Sequence, residues 1–102
     1  MATPASAGEG STQEAVIQNR LGLHARPAAM FVREANRHRC DIHVEKDGET
    51  INGKSIMGLM MLAAGMGSKI RIRAQGAGSS EAIKSLLELV ERKFDEEESE
   101  GR

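Results

Sequence analysis

One histidine stands where a helix is expected to begin. His24 lies within residues 22–28, which read GLHARPA. A helix N-terminus presents unpaired N–H groups and a partial positive charge, so it can bind an anion and favours a neutral, nucleophilic imidazole. Arg26, two residues later, offers a planar fork for phosphate oxygens. The segment therefore predicts a site where His24 accepts a phosphoryl group, although a capping or loop histidine would explain His24 taken alone.

A serine stands at the expected start of another helix. Ser55 follows the segment NGK and precedes a run of apolar residues. The plain interpretation is an N-cap, whose side-chain oxygen accepts a hydrogen bond from a helix N–H group. The functional interpretation is a regulated hydroxyl, because a phosphate at a helix N-terminus is favourable and adds about two negative charges at neutral pH. Both interpretations stay open at this point.

The helix after Ser55 is short and apolar nearly all round. Ile56, Met57 and Met60 lie on one face of this helix, and Leu59 and Leu62 lie on another. Methionines usually fill cores, but only one face of so short a helix can be buried. We therefore expect Ile56, Met57 and Met60, named here the docking patch, to form an exposed apolar surface of the kind that often binds a partner.

The remaining reactive side chains give weaker signals. His38 and His43 are expected at the surface, and Cys40 is expected to pack as a small hydrophobic residue. A single cysteine excludes an internal disulfide and any multi-cysteine metal site, so we expect no metal and no cofactor. Alternate residues from 69 to 73 form a basic stripe, read as a solvated strand face. Two Phe with no Tyr or Trp disfavour base stacking, so no nucleic-acid partner is expected.

The hydrophobic pattern predicts the order β-α-β-β-α-β-α. Strands are expected at residues 13–18, 40–45, 50–53 and 69–74, with a hairpin turn at Asp47-Gly48. The first helix is expected to bury Ala28, Phe31, Val32 and Ala35, and the second begins after Ser55. The last helix follows a loop at residues 76–80 that contains N-cap candidates. It is expected to bury Ala82, Ile83, Leu86, Leu87 and Val90. Amphipathic strands need one covered face. We therefore expect an α/β open-faced β-sandwich, a four-stranded antiparallel sheet with three helices on one face.

The length of 102 residues fits one domain. Residues 12–94 are expected to fold, residues 1–11 to form a flexible leader and residues 95–102 an acidic tail. The tail carries a net charge of −4 and leaves +3 for residues 1–94. Such a tail is usually solvated. Since no apolar run approaches the roughly 20 residues that span a bilayer, we expect no membrane insertion and a cytoplasmic location.

Two motifs resemble those of the HPr family, the histidine-containing phosphocarriers of the phosphoenolpyruvate-dependent sugar phosphotransferase system. Residues 22–29, GLHARPAA, are similar to its active-centre histidine motif, and residues 52–60, NGKSIMGLM, to its regulatory serine motif. The resemblance covers about residues 12–94, and it implies the same sandwich fold that the pattern predicts.

The resemblance also implies a role for each candidate residue. His24 would accept a phosphoryl group on Nδ1 from enzyme I, which phosphoenolpyruvate charges, and pass it to a IIA-type component. Arg26 would stabilise the phosphate, and Ser55 would be the target of an ATP-dependent HPr kinase/phosphorylase. The docking patch would bind these partners. The chain would then be a phosphocarrier that forms a transient phosphohistidine, not an enzyme, and we expect a monomer.

Three functions remain open. The chain could be a carrier for sugar transport, or a regulatory protein of the same family in a phosphorelay without a sugar permease, acting on a kinase or a transcription factor. The third is a module that only docks through the patch. The His24-Ala25-Arg26-Pro27 motif disfavours the third, because docking alone needs no nucleophile.

Overall fold

The computed structural model describes residues 10–96, and its elements follow the predicted order. The strands are β1 (Gly10–Val16), β2 (Asp41–Lys46), β3 (Glu49–Asn52) and β4 (Lys69–Gln75), and the helices are α1 (Ala25–Ala35), α2 (Ile56–Met61) and α3 (Ser79–Glu91), followed by a short 3-10 turn at Lys93–Asp95. Residues 1–9 of the expected leader lie outside the described residues, whereas Gly10 and Ser11 belong to β1. This strand begins earlier than predicted because it pairs with β4 along its whole length.

The four strands form one antiparallel sheet in the order β1-β4-β2-β3. Buried and exposed side chains alternate along β4, which leaves one apolar face for the helices to cover. Members of β2 and β4 on this face are Ile42, Val44, Ile70, Ile72 and Ala74. The open-faced sandwich with three helices on one side of the sheet is thereby confirmed.

The opposite face of the sheet carries paired charges. Arg71 lies between Glu14 and Glu45 of the two neighbouring strands, with nitrogen–oxygen distances of 3.4 and 4.0 Å. Exposed pairs of this kind contribute about 0–1 kcal/mol each. This face therefore has the character of a solvated surface on which acidic side chains offset the basic stripe.

The apolar stripe of α1 is buried as predicted. Ala28, Phe31, Val32 and Ala35 all enter the core, and Pro27 is buried with them. Proline is tolerated there because it lies in the first turn, where an N–H group has no acceptor within the helix.

The prediction for α3 was wrong at one point. Leu89 is buried where the sequence pattern placed Leu87, which is only half-buried. The observed stripe follows the helical period across the face that meets β1, β4 and α1. The N-cap of α3 lies within the predicted loop at residues 76–80: Gly78 takes this position in a left-handed conformation, with φ of 81°.

The turn between β2 and β3 matches its prediction. Asp47 and Gly48 have φ angles of 52° and 84°, the geometry of a tight hairpin turn that Asp-Gly favours.

Cys40 is buried, as expected. None of the helices within residues 10–96 is long and apolar enough to cross a membrane.

Candidate functional site

His24 occupies the N-cap position of α1, with an extended backbone. The loop that carries it is anchored by the N–H group of Leu23, which donates to the carbonyl of Ala64 over 2.9 Å. The carbonyl of His24 accepts the first hydrogen bond of the helix, from the N–H group of Ala28 at 2.9 Å. The imidazole is half-exposed, with 36% of its side-chain surface accessible. The ring can therefore be reached from outside while its backbone is held.

Gly22 is required where this loop meets the end of α2. Its φ angle is +69°, and a Cβ atom there would lie 2.4 Å from the carbonyl oxygen of Ala64. Both the left-handed backbone and the close approach favour glycine. The first residue of the GLHARPA segment thus has a structural role, which is to let the His24 loop pack closely against residues 64–65.

The start of α1 can bind an anion. The N–H groups of Ala25 and Arg26 precede the first intrahelical donor and have no acceptor within the helix. Arg26 is exposed in the same turn, and the first turn itself contains no acidic residue. Free backbone donors, Arg26 and His24 therefore all belong to the start of α1, and their role in binding a phosphoryl group stays a prediction.

A carboxylate from the end of the chain contacts the His24 ring. Oε2 of Glu96 lies 2.8 Å from Nε2 of His24, and Oε1 accepts a hydrogen bond from Nδ2 of Asn19 at 2.9 Å. Only 16% of the Glu96 side chain is exposed. The expectation of a solvated tail was therefore wrong for Glu96, because its carboxylate finds two polar partners at the site; residues 97–102 lie outside the described residues.

Asn19 is a second residue at this site that the sequence analysis missed. It is fully buried, and its Nδ2 group donates to the carbonyl of Gly22 as well as to Glu96, at 2.9 Å in each case. Asn19 opens the turn-rich segment 19–22, and asparagine is common in turns, so its type gave no reason to expect a buried bridge. The link joins the His24 loop to the C-terminal turn.

An unusual turn brings Glu96 to this place. Lys93, Phe94 and Asp95 all have positive φ angles, of 58°, 54° and 58°, and each left-handed residue costs about 1–2 kcal/mol. Phe94 is 1% exposed, and burying such a side chain contributes about 1.5–3 kcal/mol. Phe94 thus anchors the turn in the core and offsets part of its strain.

An ion pair closes the same turn. Nε of Arg92 donates to Oδ1 of Asp95 over 3.1 Å. This hydrogen bond, together with the charge of Asp95, raises the pKa of Arg92. Both side chains are more than half exposed, so the pair supports the turn less than the burial of Phe94 does.

Ser55 is the N-cap of α2. Its Oγ atom accepts a hydrogen bond from the N–H group of Gly58 at 2.9 Å, so the plain interpretation of this serine is confirmed. Nζ of Lys54 donates to the carbonyl of His38 at 2.8 Å. The serine loop is thereby tied to the segment that follows α1. Phosphorylation of Ser55 stays a prediction.

The docking patch is exposed. Ile56 and Met60 are each more than two-fifths exposed and Met57 is 72% exposed, whereas Leu59 is fully buried. Within residues 10–96 the sequence analysis missed four other large exposed apolar residues, which are Val16, Leu21, Met61 and Met66. Leu21 and Met66 lie in loops, where no periodicity marks them. The binding role of the patch stays a prediction.

His38 is less accessible than expected. Its Nε2 atom lies 3.0 Å from Oγ of Ser85 and 3.4 Å from Oε2 of Glu34, and a fifth of its side chain is exposed. His43 lies opposite Arg73 on the polar face of the sheet. Within residues 10–96, His, Cys, Asp and Glu side chains form no group of three or more that could hold a metal.

Comparisons with known proteins identify the family of this chain. The family model of the phosphotransferase HPr component phosphorylation site matches residues 11–92. The chain is 46% identical over 86 residues to the phosphocarrier protein HPr of Pseudomonas aeruginosa, covering 83% of this chain and 96% of that protein. It is 49% identical over 76 residues to the HPr-like protein Crh of Halalkalibacterium halodurans, covering 74% and 90%.

Solved structures show the same likeness. A crystal structure of HPr from Thermoanaerobacter tengcongensis has a TM-score of 0.83 and 46% identity, and covers 85% of this chain and 98% of its own. A structure of an HPr dimer from the same organism has a TM-score of 0.69 and 48% identity, and covers 80% and 94%. The histidine at the start of α1, the open-faced sandwich and these matches together place the chain in the HPr family of the phosphotransferase system, whose members are phosphocarrier proteins and not enzymes.

Proposed function

We propose that this protein accepts a phosphoryl group on His24 from enzyme I, which phosphoenolpyruvate charges, and passes it to a IIA-type component. The observation that carries the proposal is the half-exposed His24 ring at the N-terminus of α1. Since Glu96 contacts Nε2, Nδ1 is the nitrogen left to take the group. Its lone pair forms the N–P bond as the bond between phosphorus and the donor breaks, and the reverse exchange on the next partner restores the ring.

Arg26 and the first amides of α1 stabilise the transferring group in this proposal. Charge gathers on the phosphoryl oxygens as the bond to the donor breaks, so donors that face those oxygens lower the barrier. The guanidinium of Arg26 is exposed at the same helix end and can bind two oxygens at once. Such a carrier needs no deep pocket, because its partners supply the other half of the site.

Ser55 and the docking patch supply regulation. A kinase that phosphorylates Ser55 would place a dianion directly before Ile56 and Met57, which are both exposed. Burying that charge against a partner without a counter-charge is costly. Phosphorylation would therefore inhibit phosphoryl transfer through His24 by weakening docking, and would leave the fold intact.

The test of the carrier function is incubation with enzyme I and phosphoenolpyruvate, followed by mass measurement. We expect an acid-labile gain of one phosphoryl group, and we expect His24→Ala to lose it. His43→Ala is the matched control, because His43 lies on the sheet face away from the helices. Labelling of His24→Ala at the level of the natural protein would overturn the assignment.

A second candidate function is regulation without sugar transport, through a kinase or a transcription factor. The identity to the HPr-like protein Crh favours it, and the Crh of Bacillus subtilis is a catabolite repression HPr. The two functions differ in the onward step. A carrier for transport transfers its group to a IIA-type component, whereas a purely regulatory protein is labelled on Ser55 and charges no such component. The cytoplasmic location and the monomeric state stay predictions.

A further inference from the structure

We propose that Glu96 is a positioning residue for the phosphoryl transfer at His24. Its carboxylate holds the ring proton on Nε2 and so keeps the lone pair of Nδ1 available to the incoming phosphorus. The inference rests on the proposed function for the reaction it serves, but its first observable, the position of the ring proton, does not depend on that function.

The geometry defines which atom donates. Nε2 and Oε2 are 2.8 Å apart, the distance of a charge-assisted hydrogen bond. A carboxylate can only accept, so Nε2 must carry the proton when the ring is neutral. The other ring nitrogen then bears the lone pair. This is the arrangement in which a carboxylate orients a histidine that reacts through its second nitrogen.

Asn19 keeps the carboxylate in place. Its Nδ2 group donates to Oε1 of Glu96 and to the carbonyl of Gly22, and the amide is fully buried. Because Asn19 presents a donor to Oε1, the atom that faces it must be an acceptor. Glu96 is thus held at both oxygens, one by a buried amide and the other by the reacting ring.

The charges balance during transfer. When the lone pair of Nδ1 bonds to phosphorus, the ring becomes cationic with its proton still on Nε2, and the bond between phosphorus and the donor breaks. The Glu96 carboxylate faces that proton and stabilises the positive charge. It contacts the nitrogen on the far side of the ring from the new bond, so it does not occupy the place of the phosphoryl group.

The amide variant Glu96→Gln tests this sharply. With Asn19 still donating, the oxygen of Gln must face Asn19, and its NH₂ group must then face Nε2 of His24. A donor at Nε2 forces the ring proton onto Nδ1 and removes the nucleophile. In Glu96→Ala the ring meets neither an acceptor nor a donor from position 96. Phosphoryl acceptance should therefore fall in the order natural protein, Glu96→Ala, Glu96→Gln, which simple loss of a structural contact would not produce.

The first measurement is nitrogen-resolved NMR of the His24 ring in the natural protein and both variants. We expect the proton on Nε2 in the natural protein and a shift of the population toward Nδ1 in Glu96→Gln. Glu91→Gln is the matched control, since Glu91 is exposed at the end of α3 and loses the same charge. If the ring proton of His24 stays on Nε2 in a folded Glu96→Gln protein, the proposal is overturned.

The second measurement is the single-turnover rate of phosphoryl acceptance from enzyme I. We expect Glu96→Gln to be slower by roughly tenfold to a hundredfold, with Glu91→Gln unchanged and Glu96→Asp restoring part of the rate. An equal or faster rate in Glu96→Gln would mean that the carboxylate is idle or obstructs the site, and would refute positioning. If the natural protein takes no phosphate at all, the proposed function fails, while the NMR result still decides where Glu96 holds the proton.

Discussion

Nδ2 of Asn19 donates to Oε1 of Glu96 over 2.9 Å, although the two residues are 77 positions apart in the chain. This hydrogen bond joins the loop before α1 to the turn after α3. The other oxygen of the same carboxylate, Oε2, contacts Nε2 of His24. The site is therefore assembled from both ends of the described chain. A substitution in either segment is expected to alter the contact between Glu96 and the His24 ring.

Arg26→Ala should slow phosphoryl transfer from enzyme I by about tenfold to a hundredfold and leave the affinity for enzyme I nearly unchanged. The guanidinium acts when charge gathers on the transferring oxygens, so its loss appears in the rate. Lys at this position should restore only part of the rate, because an ammonium lacks the planar fork. Single-turnover rates and dissociation constants check this, with exposed Arg33→Ala as the control on the same helix. Equal rates for Arg26→Ala and the natural protein would contradict it.

Substitutions at Ser55 should separate its cap from its modification. Ser55→Ala removes the oxygen that accepts from Gly58 and should lower the free energy of unfolding by about 1 kcal/mol. Ser55→Asp keeps an acceptor and adds negative charge at the start of α2, so its stability should equal or slightly exceed that of the natural protein. Thermal unfolding checks both.

The same two variants test regulation. Ser55→Ala should take phosphate on His24 normally but resist HPr kinase, whereas Ser55→Asp should bind enzyme I more weakly, because its charge must be desolvated beside the docking patch. The control is Ser80→Asp, an exposed position at the start of α3. Kinase labelling that persists in Ser55→Ala would refute the site, and unchanged affinity in Ser55→Asp would refute inhibition through docking.

Met57→Glu should weaken binding to enzyme I by about tenfold or more without loss of stability. Met57 is 72% exposed, so the fold does not depend on it, while a carboxylate in an apolar interface is costly. Thr12→Glu on the open face of the sheet adds the same charge away from α2 and should bind normally. If calorimetry gives the two variants equal affinities, the docking patch is assigned to the wrong surface.

Gly22→Ala should destabilise the protein far more than Gly48→Ala. Both glycines have positive φ angles, +69° and +84°, but a Cβ atom at Gly22 would lie 2.4 Å from the carbonyl oxygen of Ala64, while nothing lies within 4 Å of one at Gly48. We expect the free energy of unfolding to fall by about 3 kcal/mol in Gly22→Ala and by about 1 kcal/mol in Gly48→Ala, because only the change at Gly22 adds a steric clash to backbone strain. Denaturant unfolding measures both, and similar losses would show that the His24 loop can move away from Ala64.

Features that depend on near neighbours in the chain could be predicted from the sequence. Periodicity alone predicted the buried stripe of α1 and the alternation of β4, since side chains repeat with the period of the element. The Asp47-Gly48 turn followed from local backbone preferences, and Ser55 was expected at a helix start because its side chain suits an N-cap. His24 beside Arg26 pointed to phosphoryl chemistry because both residues fall in one helix turn.

Contacts between residues that are distant in the chain became known only from the folded structure. Leu89 is buried and Leu87 only half-buried because the contacts of α3 with β1, β4 and α1 select the stripe that is covered. Glu96 reaches His24 because a left-handed turn, anchored by buried Phe94, redirects the end of the chain. The acidic composition of these last residues predicted a solvated tail. It could not predict the turn, because the strain of the turn is offset by core contacts of Phe94 that no local sequence pattern shows. The carboxylate at the reacting ring is thus a product of packing between segments 72 residues apart.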